Sequence, residues 1–206
     1  MKNSSPTIVI GISGASGSGK TSIATALADK LGRERSHLLS LDAFYHDLSH
    51  LSSENRDKKN FDHPDAIDHQ ALNDCLNSLL NGESTTIPLY DFSIHCRKKQ
   101  TTVLEPKKYI ILEGIFALSY PDVRERLTLK LFVSCPEAVY LARRIQRDIT
   151  ERGRTRESVI AQCEETVLPA FHAYIEPQSE HADVVLDGTK LVSESIEAIL
   201  QALRED

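Results

Sequence analysis

The sequence predicts an α/β fold in which five parallel strands form one sheet with helices on both faces and a β-hairpin is inserted. Three observations predict it. Five short apolar runs alternate with segments of helical periodicity, which is typical of βαβ units. A glycine-rich loop joins the first apolar run to the first helix. Two further strand-like segments lie close together in the chain and interrupt the alternation.

The composition is that of a single domain spanning residues 1–206. The chain is 40% hydrophobic and 26% charged, which is ordinary for a protein with a full core. Its net charge of −6 argues against general nucleic-acid binding. Residues 1–6 are polar and no apolar run approaches membrane-spanning length, so we expect neither a signal peptide nor a membrane partner. The four cysteines are far apart, which favours reduced thiols and a cytoplasmic location.

The glycine-rich loop follows a predicted strand over residues 7–13 and opens a helix that runs to Leu31. Its spacing fits the phosphate-binding pattern G-x-x-x-x-G-K-[ST]. Glycines let backbone N–H groups approach a phosphate closely, and the helix directs its positive end at the anion. A serine- and glycine-rich turn that fits the pattern by chance is the less favoured alternative. The loop consists of Gly14, Ala15, Ser16, Gly17, Ser18, Gly19, Lys20 and Thr21.

Two further sheet strands end in carboxylates. The second predicted strand, His37–Leu41, ends at Asp42, and the third, Tyr109–Gly114, contains Glu113. Ligands bind at the carboxyl ends of parallel strands. Asp42 can therefore orient and deprotonate an attacking hydroxyl, or it can be a helix N-cap. Glu113 is placed as a carboxylate that faces Mg²⁺.

The segment between these strands contains a polar stretch, a turn and a helix. Residues 46–60 are predicted to be a loop or short helices, and Phe61–Asp68 a turn that opens a helix closed by Gly82. Asp62 is a candidate to accept hydrogen bonds from ribose hydroxyls. It can equally be one of several aspartates that cap the helix.

The hairpin is predicted at about residues 85–105, with arms over 86–92 and 100–104. Tyr90, Phe92 and His95 can form a wall that binds a nucleobase, with aromatic faces for stacking and an imidazole for hydrogen bonding. A solvated hairpin with an ordinary aromatic pair is the alternative, and the pattern alone slightly favours it.

The fourth predicted strand, Leu129–Ser134, leads into a helix that Pro136 opens and Gly153 ends. Guanidinium groups neutralise transferring phosphoryl charge, so we expect two or three of the arginines on this helix to contact phosphate. The alternative is a solvated helix with Asp148 and Glu151 as partners. The arginines are Arg143, Arg144, Arg147, Arg152, Arg154 and Arg156.

The C-terminal part completes the alternation of strands and helices. A helix over 157–167 is predicted to end or kink at Leu168-Pro169. The fifth strand is predicted over 182–186, and an amphipathic helix follows over 192–203.

The sequence resembles the uridine kinase (uridine–cytidine kinase) family over nearly its whole length. The resemblance implies a P-loop kinase fold and transfer of the γ-phosphate of ATP, or GTP, to the 5′-hydroxyl of uridine or cytidine. It also implies Mg²⁺ as cofactor and a homotetramer. The motifs that carry the resemblance are Gly14–Thr21, Asp42–Tyr45, Phe61–Ala66, Pro88–Phe92 with His95 and Arg97, Ile110–Ile115, Arg143–Arg154 and Thr166–Phe171.

The resemblance assigns roles to individual residues. Asp42 is the expected base for the 5′-hydroxyl. Asp62 and Arg154 are expected to hold the ribose hydroxyls with Arg144 near the sugar. The other acceptor contacts that it implies are Tyr45, Tyr90, Phe92 and His95. The residues that it places at the phosphates and Mg²⁺ are Lys20, Thr21, Glu113, Arg147 and Arg152.

The chain departs from the family pattern after the fifth strand. The family usually has a proline and a glycine pair near the donor base, whereas this chain has Leu186-Asp187-Gly188-Thr189. The choice between ATP and GTP therefore stays open. A related kinase with another acceptor, similar to phosphoribulokinase or pantothenate kinase, and a non-catalytic nucleotide-binding regulator are the alternative functions.

Overall fold

The computed structural model describes residues 6–57 and 59–205, so most of the polar N-terminus lies outside the described residues. It confirms the predicted five-stranded parallel sheet and the separate two-stranded hairpin. The strands are β1 (Ile8–Gly14), β2 (Ser36–Ser40), β3 (Thr85–Asp91), β4 (Cys96–Leu104), β5 (Tyr109–Glu113), β6 (Leu129–Ser134) and β7 (Val184–Asp187). The sheet order is β2-β5-β1-β6-β7, and β3 pairs with β4 alone.

The helices connect and cover the strands. Within the described ranges, none of them is both long and apolar enough to cross a bilayer. The α-helices are α1 (Lys20–Leu31), α2 (Ser53–Asp57), α3 (His69–Leu80), α4 (Pro121–Arg124), α5 (Glu137–Arg152), α6 (Arg156–Gln162), α7 (Leu168–Ala170) and α8 (Val192–Glu205). Short 3₁₀ segments occupy Leu41–Phe44, Pro64–Ala66 and Glu176–His181, and π-helical turns occupy Cys163–Val167 and Phe171–Ile175.

The central strand β1 is buried on both faces, as its continuous apolar sequence predicts. Ile10 and Ile12 pack with residues of α1 and α8 on one face. Val9 packs on the other face with residues of α3 and of the segments after β2 and β5. Both cores therefore hold the carboxyl end of β1 rigidly, and the glycine-rich loop starts there.

A buried glutamine joins the sheet to the helical segment at residues 176–181. Gln178 accepts hydrogen bonds from Ser13 Oγ at 2.8 Å and from the Leu118 N–H at 3.0 Å. It donates to the Ile115 carbonyl oxygen at 2.8 Å. This polar network fixes the segment that follows β5 against the strand that precedes the glycine-rich loop.

The hairpin is longer than predicted on its second arm. β4 begins at Cys96 instead of residue 100, because the basic residues that look like a connection in the sequence belong to an exposed, two-stranded ribbon. Its register shifts between Pro88 and Tyr90, where Pro88 lacks a donor for the ladder. The turn contains His95 at φ 52°, a left-handed conformation that a non-glycine residue rarely adopts.

The chain does not leave the helical conformation at Leu168-Pro169. Pro169 lies in the first turn of α7, where a missing N–H is tolerated, and π-helical turns precede and follow α7. Of the two outcomes predicted at Leu168-Pro169, an end of the helix is therefore wrong, and the observed π-helical turns are a distortion of the helix of the kind that can produce the other, a kink.

Candidate functional site

The candidate site lies at the edge of the sheet where β1, β2 and β5 all end. Strand pairing brings Glu113 beside Ile12 of β1 and Ser40 of β2. The glycine-rich loop starts at the end of β1, and Asp42 follows the end of β2. Parallel pairing therefore assembles at one edge three features that are far apart in the sequence.

The glycine-rich loop has the conformation that its sequence predicts. Gly14, Gly17 and Gly19 have φ values of 145°, 90° and 104°, which favour glycine. A Cβ atom at Gly17 would lie 2.5 Å from the Tyr140 carbonyl oxygen, so the loop also needs glycine there to pack against α5. The loop leads directly into the N-terminus of α1, which leaves a cradle of N–H groups suited to phosphate.

Lys20 is buried at the base of this cradle. Its Nζ donates to the Ala15 carbonyl oxygen at 3.2 Å, within its own loop. Burial lowers the pKa of Lys20, although the carboxylates of Glu113 and Asp42 act in the opposite direction. A desolvated ammonium that is hydrogen-bonded to a neutral carbonyl is well prepared to bind an anion.

Glu113 receives one hydrogen bond on each carboxylate oxygen. Thr21 Oγ1 donates to Oε2 at 3.1 Å, and Ser40 Oγ donates to Oε1 at 2.8 Å. The predicted metal-binding pair, Thr21 and Glu113, is therefore in direct contact. Hydroxyl and carboxylate oxygens are the ligands that Mg²⁺ prefers, so this donor set fits Mg²⁺. Ser40, which is not among the predicted site residues, orients Glu113.

Asp42 lies in the 3₁₀ segment after β2, and its carboxylate is available for chemistry. The N-cap of this segment is Ser40, whose Oγ accepts from the Asp42 N–H at 3.4 Å. Burial raises the pKa of Asp42, the Glu113 carboxylate adds to that effect, and Lys20 opposes it. The raised pKa makes Asp42 a better proton acceptor than an exposed aspartate.

Three of the four arginines of α5 converge on two buried carboxylates. Arg144 bridges to Asp62 with nitrogen to oxygen distances of 3.2 and 3.4 Å. Burial alone would lower the pKa of Arg144, but Asp62 and Asp148 outweigh burial and raise it. Arg147 donates to Asp148 Oδ1 at 2.9 Å and to Ser16 Oγ of the glycine-rich loop at 3.2 Å. Asp148 is therefore a partner of these arginines, as the alternative interpretation of α5 expects, but Arg144 and Asp148 are buried and this face is not solvated.

Arg152 completes this arginine cluster near the hairpin. Its guanidinium lies 3.4 Å from Asp148 Oδ1, and its Cζ lies 5.2 Å from the centroid of the Phe92 ring. Burial and the neighbouring Arg147 cation lower its pKa. Arg152 therefore connects Asp148 of its own helix with Phe92 of the hairpin.

The predicted aromatic wall is present and larger than predicted. The Tyr45 ring centroid lies 5.3 Å from that of Tyr90 and 6.2 Å from that of Phe92. Phe61, which the sequence analysis did not single out, stacks on His95 with centroids 4.4 Å apart. Burial raises the pKa of Tyr90 well above its ordinary range, and the Tyr90 hydroxyl has no hydrogen-bond partner among the described residues. An unsatisfied buried hydroxyl beside aromatic faces is suited to a flat ligand with polar edges.

Arg97 fastens the hairpin to the segment that follows Asp42. Its Nε donates to the Tyr45 carbonyl oxygen at 2.9 Å, and its Nη2 to the Asp68 carboxylate at 3.0 Å. Asp68 is also the N-cap of α3, where it accepts from the Ala71 N–H. The hairpin therefore has a fixed position next to the candidate catalytic carboxylate.

Two further arginines make no contact with the Asp148 carboxylate among the described residues, and they are Arg143, within α5, and Arg154, just after its end. Arg154 directs its guanidinium at Gln162 Oε1 and the Ser158 carbonyl oxygen, not at Asp62. Arg143 donates to the Gly188 carbonyl oxygen at 2.9 Å. This hydrogen bond joins α5 to the segment after β7 in which the chain differs from the family pattern. A Cβ atom at Gly188 would lie 2.1 Å from the Ser18 carbonyl oxygen, so this segment packs directly on the glycine-rich loop.

Comparisons with known proteins find that the chain is similar to kinases. A model of the phosphoribulokinase / uridine kinase family matches residues 9–193. Uridine kinase of Shewanella frigidimarina is 44% identical over 188 residues, which cover 89% of each chain. The phosphoribulokinase of Rhodobacter spheroides has a similar fold, with a TM-score of 0.67 at 16% identity over 89% of this chain and 71% of that one. A possible uridine kinase from Bacillus stearothermophilus has a TM-score of 0.55 at 23% identity, over 90% and 91% of the two chains.

Proposed function

The chain belongs to the phosphoribulokinase / uridine kinase family, and we propose that it transfers the γ-phosphate of ATP to the 5′-hydroxyl of uridine or cytidine. The observation that carries the choice of acceptor is the aromatic wall of the hairpin beside Asp42. A flat base can lie against Tyr45, Tyr90 and Phe92, and the unsatisfied Tyr90 hydroxyl can bond its polar edge.

The donor binds in the glycine-rich cradle. Backbone N–H groups of the loop hold the phosphates, and the Lys20 ammonium moves from the Ala15 carbonyl to the transferred phosphate. Thr21 and Glu113 would hold Mg²⁺, which neutralises phosphate charge when it is bound. Arg147 and Arg152 reach the triphosphate from α5 and take up the charge that spreads over the transferred group.

The acceptor binds between the cradle and the hairpin. Asp42 accepts the proton of the 5′-hydroxyl as the oxygen attacks in line with the leaving phosphate oxygen. Asp62 binds the ribose hydroxyls while it remains paired with Arg144, since a carboxylate can accept several hydrogen bonds. We expect Arg154 to turn from Gln162 towards the sugar when a nucleoside binds, and His95 to contact the base edge.

An acceptor panel tests the proposal. Purified protein is incubated with Mg²⁺ and ATP or GTP, and uridine, cytidine, ribulose 5-phosphate or pantothenate is the acceptor. We expect uridine or cytidine monophosphate by mass, with little product from the two controls. Transfer to a control but not to a nucleoside would contradict the choice of acceptor. Binding of ATP with no transfer to any acceptor would favour a nucleotide-binding regulator.

Two further properties belong to the proposal. The resemblance to the family supports a homotetramer, and the widely spaced cysteines favour the cytoplasm. Light scattering after gel filtration tests the assembly, since a monomer mass at micromolar concentration would contradict it. Fractionation of the source cells tests the location.

A further inference from the structure

The Asp148 carboxylate is completely buried on α5, at the centre of the arginine cluster. Its Oδ1 accepts from Arg147 Nε at 3.0 Å and from Nη2 at 2.9 Å, and it lies 3.4 Å from Arg152 Nη1. Its Oδ2 lies 3.8 Å from Arg144 Nε. One carboxylate therefore faces three guanidinium groups that the same helix supplies.

The sequence spacing explains this convergence. Asp148 lies four residues after Arg144 and four residues before Arg152, so the three share one face of the helix. Arg147 is adjacent and folds its guanidinium back onto the same oxygen. A buried charge is costly unless it is paired, and an apolar residue would pack here without that cost. A buried aspartate at position 148 is therefore better explained by the placement of the arginines than by the stability of the helix.

Asp148 lies between the two halves of the proposed site. Through Arg147 it is connected to Ser16 of the glycine-rich loop, which binds the donor. Through Arg144 it is connected to Asp62, on the acceptor side. Asp148 Oδ2 and Arg144 Nε both lack a hydrogen-bond partner within the described ranges, and they face each other. Because both residues lie on α5, a small rotation of either side chain would close that gap.

We propose that Asp148 is a positioning residue that holds Arg147 and Arg152 ready for the phosphates and couples them, through Arg144, to the acceptor. This inference rests on the proposed phosphoryl transfer. Asp148 touches neither substrate, so it acts through the arginines. Without its charge, three like charges on one helix face would repel one another, and the guanidinium groups would leave their positions at the cradle.

The charge is tested with Asp148→Asn, which keeps the shape of the side chain. We expect kcat to fall about 100-fold, the loss that a misplacement of about 1 Å can cause. The KM for ATP should change by less than about 3-fold, because Lys20 and the loop that bind the donor are unchanged. Glu151→Gln is the matched control, since Glu151 is an exposed carboxylate on the same helix. It should leave kcat unchanged.

A double-mutant cycle on kcat separates positioning from a structural role. In a chain that already carries Arg147→Ala, Asp148→Asn should cost only a small part of what it costs in the wild type, because much of its effect passes through Arg147. Additive losses would overturn the proposal, and so would equal kcat values for Asp148→Asn and the wild type. A loss confined to the KM for ATP would overturn it as well.

Urea unfolding shows whether Asp148→Asn is folded. If it is not, the double variant Arg152→Gln/Asp148→Asn is used, because it removes one positive and one negative charge. Its kcat is compared with that of Arg152→Gln alone. A further fall in kcat is expected, and equal kcat values overturn the proposal. The wild-type rate with uridine reports on the proposed function. The ratio of variant to wild type reports on Asp148 with whichever acceptor is phosphorylated, so the two proposals fail separately.

Discussion

At the scale of single residues, the candidate site keeps ionisable groups in surroundings that disfavour their charge. Burial lowers the pKa of Lys20 and raises the pKa of Asp42, and both side chains lie close to Glu113. A buried ammonium gains from the arrival of a phosphate, and a buried carboxylate gains from the arrival of a proton. Lys20 is therefore suited to stabilise the negative charge of a bound phosphate. Asp42 is suited to take the proton of an acceptor hydroxyl.

The variant Asp42→Asn keeps the shape of the side chain and removes the proton acceptor. We expect turnover to fall by about 10²- to 10⁴-fold, the usual contribution of a general base, while the affinity for ATP stays the same. Coupled assay of ADP release and calorimetric titration of ATP measure the two quantities. Asp65→Asn, at an exposed carboxylate of the 3₁₀ segment Pro64–Ala66, is the control. Equal turnover in wild type and Asp42→Asn would rule out the assignment of Asp42.

The variant Tyr90→Phe removes a buried hydroxyl that has no hydrogen-bond partner within the described part of the chain. We expect the free energy of unfolding to stay the same or increase, because an unsatisfied buried hydroxyl is unfavourable. The kcat/KM for uridine should fall about 2- to 10-fold, which corresponds to one lost hydrogen bond to the base. Urea unfolding and initial rates at low uridine measure both effects. An unchanged kcat/KM would show that the hydroxyl does not contact the base.

At the scale of elements, the hairpin is an insertion that a few polar contacts hold over the site. Arg97 contributes three of them, to the carbonyl oxygens of Phe44 and Tyr45 and to the Asp68 carboxylate. The Arg97 and Asp68 side chains are each 25% exposed, so the ion pair is partly shielded from water. The aromatic wall therefore depends on a polar clamp as well as on ring contacts.

Arg97→Met should loosen the hairpin and leave the glycine-rich loop unaffected. We expect the KM for uridine to rise about 10-fold, because the loss of charged hydrogen bonds worth about 1.5–3 kcal/mol is only partly expressed in binding. The KM for ATP should stay the same. Hydrogen exchange should speed up over residues 85–104, where the hairpin lies. Lys99→Met, at an exposed position of the same strand, is the control, and equal exchange rates in the two variants would contradict the clamp.

The sequence predicts the elements of the sheet better than it predicts the polar contacts between them. The edge that unites the glycine-rich loop, Asp42 and Glu113 follows from strand periodicity and from the rule that parallel strands end at the same edge. Asp148 could not be predicted to be buried, because a charged run on a helix usually faces solvent. The clamp of Arg97 was equally hidden, since its carbonyl partners are about fifty residues away and carry no side-chain signal.

At the scale of the whole molecule, the two apolar cores stabilise the fold, whereas the buried ionisable groups of the site reduce its stability. The sheet buries Ile10 and Val9 on its two faces. Its carboxyl edge holds Lys20, Asp42 and Glu113, which face one another in place of apolar contacts. Sites that carry out chemistry are commonly less stable than they could be, and substitutions there can stabilise the fold while they abolish function.

The pH dependence of the free energy of unfolding tests whether the buried Asp42 carboxylate reduces stability. Its pKa is higher in the folded chain than the ordinary value of 3.8, so the folded state binds this proton more tightly than the unfolded state. The resulting stabilisation is fully present below the ordinary value and is lost as the pH rises through the raised pKa. At neutral pH the charged Asp42 therefore destabilises the free protein, and Asp42→Asn removes that effect.

We accordingly expect Asp42→Asn to have a higher free energy of unfolding than the wild type at about pH 7, and the difference to shrink towards zero as the pH approaches about 4. Urea unfolding without ATP, followed by circular dichroism at several pH values, measures it. Asp65→Asn, which removes a carboxylate that is 92% exposed, is the control for the change in net charge. A difference that is constant with pH, or one that favours the wild type at neutral pH, would mean that Asp42 is stabilised as a carboxylate in the free protein. Its proton affinity would then be too low for the role of base that we assign to it.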